Sequence, residues 1–117
     1  MGSTTLAAVA GAEDLELAAA FDRSSVGEDV GGVSGLDREL GVSLTNDIGE
    51  FLGAGLDAAV DFSRAEVVQS FGERVIGSGT HYLVGTTGLG EDVLDGLRRA
   101  AESSPETGVL VVPNFCI

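Results

Sequence analysis

The sequence predicts an α/β fold built on a doubly wound parallel sheet. Three observations predict it. Short apolar runs of strand length alternate with helical segments, the pattern of βαβ units whose sheet is covered on both faces. One such run, 81–84 (HYLV), leads straight into the turn Gly85-Thr86-Thr87-Gly88 and then a helix opened by Glu91 and Asp92. The residues that follow the runs are also distinctive: Asp22-Arg23, Asp61-Phe62-Ser63, the Gly-Thr-Thr-Gly turn and Pro113-Asn114-Phe115. Right-handed crossovers bring the carboxyl ends of parallel strands to one edge, where open α/β sheets bind ligands.

Each element has a local reason. Residues 2–12 (GSTTLAAVAGA) read as a helix, because alanines favour it and Leu6, Val9 and Ala10 share one side. Residues 15–21 (LELAAAF) read as a buried strand, with helix as the competitor because of the alanines. Asp22 and Arg23 end that run. Residues 24–40 are rich in glycine, serine and acid and read as a loop. Residues 41–44 suit a short strand, and Asn46 or Asp47 caps a short helix to about Leu52.

Residues 58–62 (AAVDF) form a second strand-length run. Ser63-Arg64-Ala65-Glu66 has the Ser-x-x-Glu spacing of a capping box and predicts a helix to about Ile76. Val67, Val68, Phe71 and Val75 form its inner side. In the next unit, glycines at both ends of the turn let a ligand approach the backbone. The following helix brings its positive N-terminal end to the same space. Tight strand-to-helix packing is the bland alternative. Pro105 stops that helix, and 108–112 (GVLVV) is a last apolar strand.

Composition narrows the function. At 117 residues with 44% hydrophobic content, the chain suits one globular domain at most. No apolar run reaches the ~20 residues that cross a bilayer. The opening residues lack the basic stretch of a signal peptide. Cys116 is the single cysteine, and no Cys/His cluster spells a metal site, so a reducing cytoplasmic setting fits. Nineteen acidic residues against six arginines and no lysine give a net charge of -13. That balance argues against nucleic-acid binding, which needs a basic face. An acidic soluble surface accounts for it, and the absence of lysine favours adaptation to high internal salt.

VDFS (60–63), VGTTGLGED (84–92) and VPNFCI (112–117) resemble, in order and spacing, the N-terminal domain of 4-hydroxy-tetrahydrodipicolinate reductase. This family, also called dihydrodipicolinate reductase, serves lysine and diaminopimelate biosynthesis. VGEDVGGVSG (26–35) is similar to its loop after the second strand, and Met1-Gly2-Ser3 to the end of its glycine-rich fingerprint. The resemblance implies a Rossmann-like doubly wound parallel sheet lacking its first strand. Residues 1–117 would be a partial dinucleotide-binding domain, with both ends cut and the C-terminal catalytic and tetramerisation domain absent.

The resemblance also assigns roles. The cofactor would be NADH or NADPH. Asp22 would bind the adenosine ribose, and Arg23 would favour a 2′-phosphate. Gly85, Thr86 and Thr87 would line the nicotinamide side. Val112, Pro113, Asn114 and Phe115 would hold the nicotinamide and its amide. Ser63 is read as a helix cap, Asp61 as a turn residue, His81 as packed or partly exposed, Tyr82 as core and Cys116 as a small apolar filler. The family's paired histidines and proton-donating lysine belong to a later domain, so no catalytic residue is expected here. The intact enzyme passes hydride to a cyclic dihydrodipicolinate-type substrate and is a homotetramer. A non-catalytic Rossmann-like nucleotide-binding fragment, holding a nucleotide weakly or not at all, is the alternative, and another dehydrogenase or CoA-binding relative a third. Without the first strand, 15–21 and 58–62 would each lose a ladder partner, at about 1–3 kcal/mol per unpaired buried amide.

Overall fold

Two separate groups of parallel strands carry the chain. A computed structural model describes residues 2–112 and divides into two compact units, one ending at Leu56 and the other beginning at Asp57.

The first unit contains α1 (Gly2–Gly11), β1 (Ala20–Phe21), α2 (Val30–Val33), β2 (Leu44–Thr45) and α3 (Ile48–Leu52). β1 and β2 pair in parallel, Ala20 opposite Leu44 and Phe21 opposite Thr45. Ala20, Val30 and Leu44 form the buried centre, with Leu6, Leu17, Leu40 and Val42 packed around it. Leu6 thus faces inward from α1, as its helical spacing predicts. Phe21 meets Phe51 of α3 edge-to-face, with ring centroids 6.2 Å apart. The strand is shorter than 15–21. Leu15 is 56% exposed, and the ladder extends only as far as β2 reaches. Alanines and flanking carboxylates bring little strand preference of their own.

Of the two candidate caps for α3, Asp47 does the work. Its Oδ1 accepts from the amides of Gly49 at 2.8 Å and Glu50 at 3.1 Å. The segment read as a loop is more ordered than its composition suggests, because Asp29 organises it. Asp29 caps α2 through Gly31 N, and the same oxygen takes Leu40 N, each at 2.8 Å. Its Oδ2 takes Gly41 N, also at 2.8 Å. Those amides hold the carboxyl below the ordinary range, Leu40 foremost and Gly31 next. Gly31 is required by close approach: a Cβ there would lie 2.0 Å from the Arg38 carbonyl oxygen.

The second unit contains β3 (Ala58–Asp61), α4 (Ala65–Gly77), β4 (His81–Val84), α5 (Glu91–Ser103) and β5 (Val109–Val111). The three strands are parallel in the order β3-β4-β5. Alternation sorts their side chains: Ala59, Tyr82 and Val84 are buried on one face. On the other, Val60 is 42% and Leu110 56% exposed. α4 buries Val68, Gly72, Val75 and Ile76, spaced as one helical stripe. Val67 and Phe71 are half-buried beside it. α4 packs closely on α5 at Gly72, where a Cβ would come within 2.7 Å of a Leu97 methyl.

The capping box is not formed. Arg64, not Ser63, is the N-cap of α4, and it makes no side-chain cap bond. Ser63 turns back instead, donating both its amide (2.8 Å) and its hydroxyl to Asp61 Oδ1. A carboxylate two residues earlier is the stronger acceptor, so the serine completes an Asx turn rather than a cap.

The α/β fold with parallel strands is as the sequence predicts. Among the described residues β1 pairs with β2 alone and β3 with β4 alone, so each keeps one unpaired edge.

Candidate functional site

The carboxyl tip of β4 is where the second unit concentrates its polar side chains. The backbone first extends the ladders past the strands. Gly85 N donates to the Asp61 carbonyl, and Val112 N to the Val84 carbonyl, each at 2.8 Å. Gly88 then takes φ +76°, a conformation glycine adopts without strain, and the turn closes toward α5.

Asp61, the last residue of β3, is the hub of this tip. Its carboxylate accepts from Ser63, from the Thr86 hydroxyl at 3.2 Å and from the Tyr82 phenol at 2.5 Å. Thr86 Oγ1 also lies 3.2 Å from the Asp61 carbonyl oxygen. Tyr82 and Thr86 are almost fully buried, at 3% and 4% exposure. Burial above all, then the negative charge and hydrogen bond of Asp61, push the Tyr82 phenol far above its ordinary pKa. Gly85 is half-buried, Thr87 exposed and Val112 half-buried.

The N-terminus of α5 is less welcoming to an anion than its position implies. Glu91 and Asp92 occupy its first turn, and Asp92 Oδ1 comes close to Gly90. Two carboxylates already complement the positive end of the helix there.

In the first unit, β1 ends on Asp22. Its Oδ1 accepts from the Ser24 amide at 3.0 Å and hydroxyl at 3.2 Å. Asp22 and Arg23 are both exposed. Pro113, Asn114, Phe115 and Cys116 lie outside the described residues.

A profile described as "Dihydrodipicolinate reductase, N-terminus" matches residues 1–115. The chain belongs to this family. It is 39% identical over 121 residues to the 4-hydroxy-tetrahydrodipicolinate reductase of Syntrophomonas wolfei, covering 100% of this chain and 44% of that protein. The enzyme of the same name from Picosynechococcus sp. is 35% identical, with 100% and 44% covered. That from Corynebacterium urealyticum is 33% identical, with 100% and 39% covered. The chain thus spans less than half the length of these curated relatives and corresponds to the N-terminal part of the reductase family. Among solved structures, an amine dehydrogenase from Mycobacterium smegmatis aligns with a TM-score of 0.67 at 20% identity, over 93% of this chain and 34% of that one. That likeness speaks to the fold.

Within the dihydrodipicolinate reductase motifs, two residues do more than their sequence context indicates. Tyr82 is core, as read, but its hydroxyl also serves the Asp61 hub. Asp61 serves its own turn, as read, and also the next strand's turn. The available signal was alternation: Asp61 pairs with Val84 in register, so Ala59, Asp61, Tyr82 and Val84 share a face. Among the described residues, no group of three or more His, Cys, Asp or Glu side chains could hold a metal. No helix there is long and apolar enough to cross a membrane.

Proposed function

We propose that this chain is the cofactor-binding portion of a 4-hydroxy-tetrahydrodipicolinate reductase acting in lysine and diaminopimelate biosynthesis. The observation that carries the reading is the family match over residues 1–115, joined to a braced Gly-Thr-Thr-Gly turn at the carboxyl tip of a parallel strand. The cofactor is NADH or NADPH, and when bound it supplies the hydride.

The residues present suit such a ligand. Asp22 is exposed, and its Oδ1 is engaged by Ser24, which orients the carboxylate toward solvent where a ribose hydroxyl could meet it. Arg23 is exposed beside it, a guanidinium suited to a 2′-phosphate. At the β4 tip, Gly85, Thr86 and Thr87 form the nicotinamide side. Thr86 contributes through its backbone, because its hydroxyl is committed to Asp61. Val112, Pro113, Asn114 and Phe115 complete that side, with Asn114 supplying donor and acceptor to the carboxamide.

The substrate is a cyclic dihydrodipicolinate-type molecule. Its protonation, and the family's homotetrameric assembly, belong to the portion of the relatives this chain does not cover. The setting is cytoplasmic. The charge of -13 without lysine suits a salt-rich interior.

The test is a titration of NADH and NADPH against the 117-residue chain, followed by nucleotide fluorescence. Saturable binding of at least one is expected. Failure of both to bind at millimolar concentration, with a folded protein by circular dichroism, would leave the alternative of a non-binding Rossmann-like fragment.

A further inference from the structure

We infer that Asp61 is the positioning residue of the Gly85–Gly88 turn, setting its geometry through Thr86 while being oriented by Tyr82. The inference rests on the reading of that turn as part of the cofactor site, and it divides labour within it.

Four donors meet one carboxyl group. Ser63 N, Ser63 Oγ and Thr86 Oγ1 converge on Oδ1, and the Tyr82 phenol meets Oδ2. An ionised carboxylate only accepts, and it has lone pairs for all four. The Thr86 hydroxyl has a single proton, shared between the carboxylate and the Asp61 carbonyl, both 3.2 Å away. The same carbonyl takes Gly85 N at 2.8 Å. Asp61 therefore grips the first two residues of the turn, by backbone and by side chain.

Burial makes the grip specific. Tyr82 and Thr86 are nearly closed to solvent, so water cannot replace Asp61 as their partner. Without its carboxylate, the buried Tyr82 phenol would lack its acceptor, and the Thr86 hydroxyl would keep only the Asp61 carbonyl oxygen. Thr87, the other threonine, is exposed and makes no hydrogen bond to the described residues. Thr86 thus shapes the turn, whereas Thr87 and the backbone face the ligand. Asp61 itself touches no reacting atom.

The test uses the 117-residue chain carrying Asp61→Asn, Thr86→Val or Thr86→Ser. Dissociation constants are measured for NADH and for ADP-ribose, and amide exchange is followed by NMR. Asp61→Asn and Thr86→Val should weaken NADH about tenfold and leave ADP-ribose unchanged. Thr86→Ser, which keeps the hydroxyl, should retain wild-type affinity. Exchange at Gly85, Thr86 and Thr87 should quicken about tenfold in the first two variants, with α4 and α5 unaffected. Equal losses for both ligands, or unaltered exchange in the turn, would overturn the inference. Should the wild-type chain bind neither ligand, the cofactor reading falls, and the exchange rates alone decide the positioning role. If Thr86→Val does not fold, the contrast of Asp61→Asn with Thr86→Ser carries the same comparison.

Discussion

The Tyr82 phenol donates to the Asp61 carboxylate at 2.5 Å, tying β4 to its paired neighbour β3 through their side chains. The bond couples stability to alkaline pH. Burial, then the charge of Asp61, raises the phenol above its ordinary value of 10.0. Above that value the folded protein keeps a proton the unfolded chain releases. Stability from this group is therefore complete below about pH 10 and declines as pH rises further. Denaturant midpoints should fall between about pH 9 and pH 11, and Tyr82→Phe should flatten the decline. That variant should cost about 1–2 kcal/mol at neutral pH, from the lost bond. Tyr82 is the chain's single tyrosine and there is no tryptophan, so tyrosinate absorbance reports it alone. Ionisation at the ordinary value in the folded state would contradict the picture.

At the acid end Asp29 contributes. Its amide partners at Leu40 and Gly31 lower its pKa below 3.8. It therefore contributes stability above that value, lost as pH falls through the lowered pKa. Asp29→Ala should loosen residues 24–42, seen as faster amide exchange at Leu40 and Gly41 and a lower melting temperature. A variant exchanging like wild type at those amides would show that the loop has another anchor.

Gly31 offers an independent check on the same loop. A methyl group would meet the Arg38 carbonyl oxygen at 2.0 Å, an approach backbone cannot tolerate. Gly31→Ala should destabilise by about 1–3 kcal/mol in denaturant unfolding. Gly32→Ala, where a Cβ meets nothing within 4 Å, is the control and should stay near wild type.

Cofactor discrimination is expected at the tip of β1. Arg23→Ala should weaken NADPH about tenfold and NADH within about twofold, because only the former offers a 2′-phosphate. Calorimetric titration of both nucleotides measures it. Equal effects on the two would remove Arg23 from the proposed site.

Salt should stabilise this protein. Among the described residues, the ion pair Arg98–Asp95 is exposed on both partners and contributes little. The net charge of -13 is mostly self-repulsion, which counter-ions screen. The melting temperature should climb by several degrees from dilute buffer to molar KCl. A flat response would argue against adaptation to high salt.

Much of the fold was legible in the residues themselves. The run 81–84 became β4 with the same bounds, and Asp47 capped α3. Ser63 departs from the cap its spacing to Glu66 predicts, because Asp61, two residues away, competes successfully for its hydroxyl. The composition of 24–40 predicts a loop but does not show that Asp29 meets Leu40 eleven residues on. Of the candidate site, the Gly-Thr-Thr-Gly turn and Asp22-Arg23 were visible as motifs, and the brace beneath the turn was not.

The sequence by itself determined the kinds of element, their alternation, the acidic surface and the family, because propensity, periodicity and motif act over a few neighbouring residues. Only the tertiary structure decided that Asp61, Tyr82 and Thr86 share one network and that Thr86 points inward. Those facts depend on strand register and on which face is buried. Both are set by pairing between segments more than twenty residues apart.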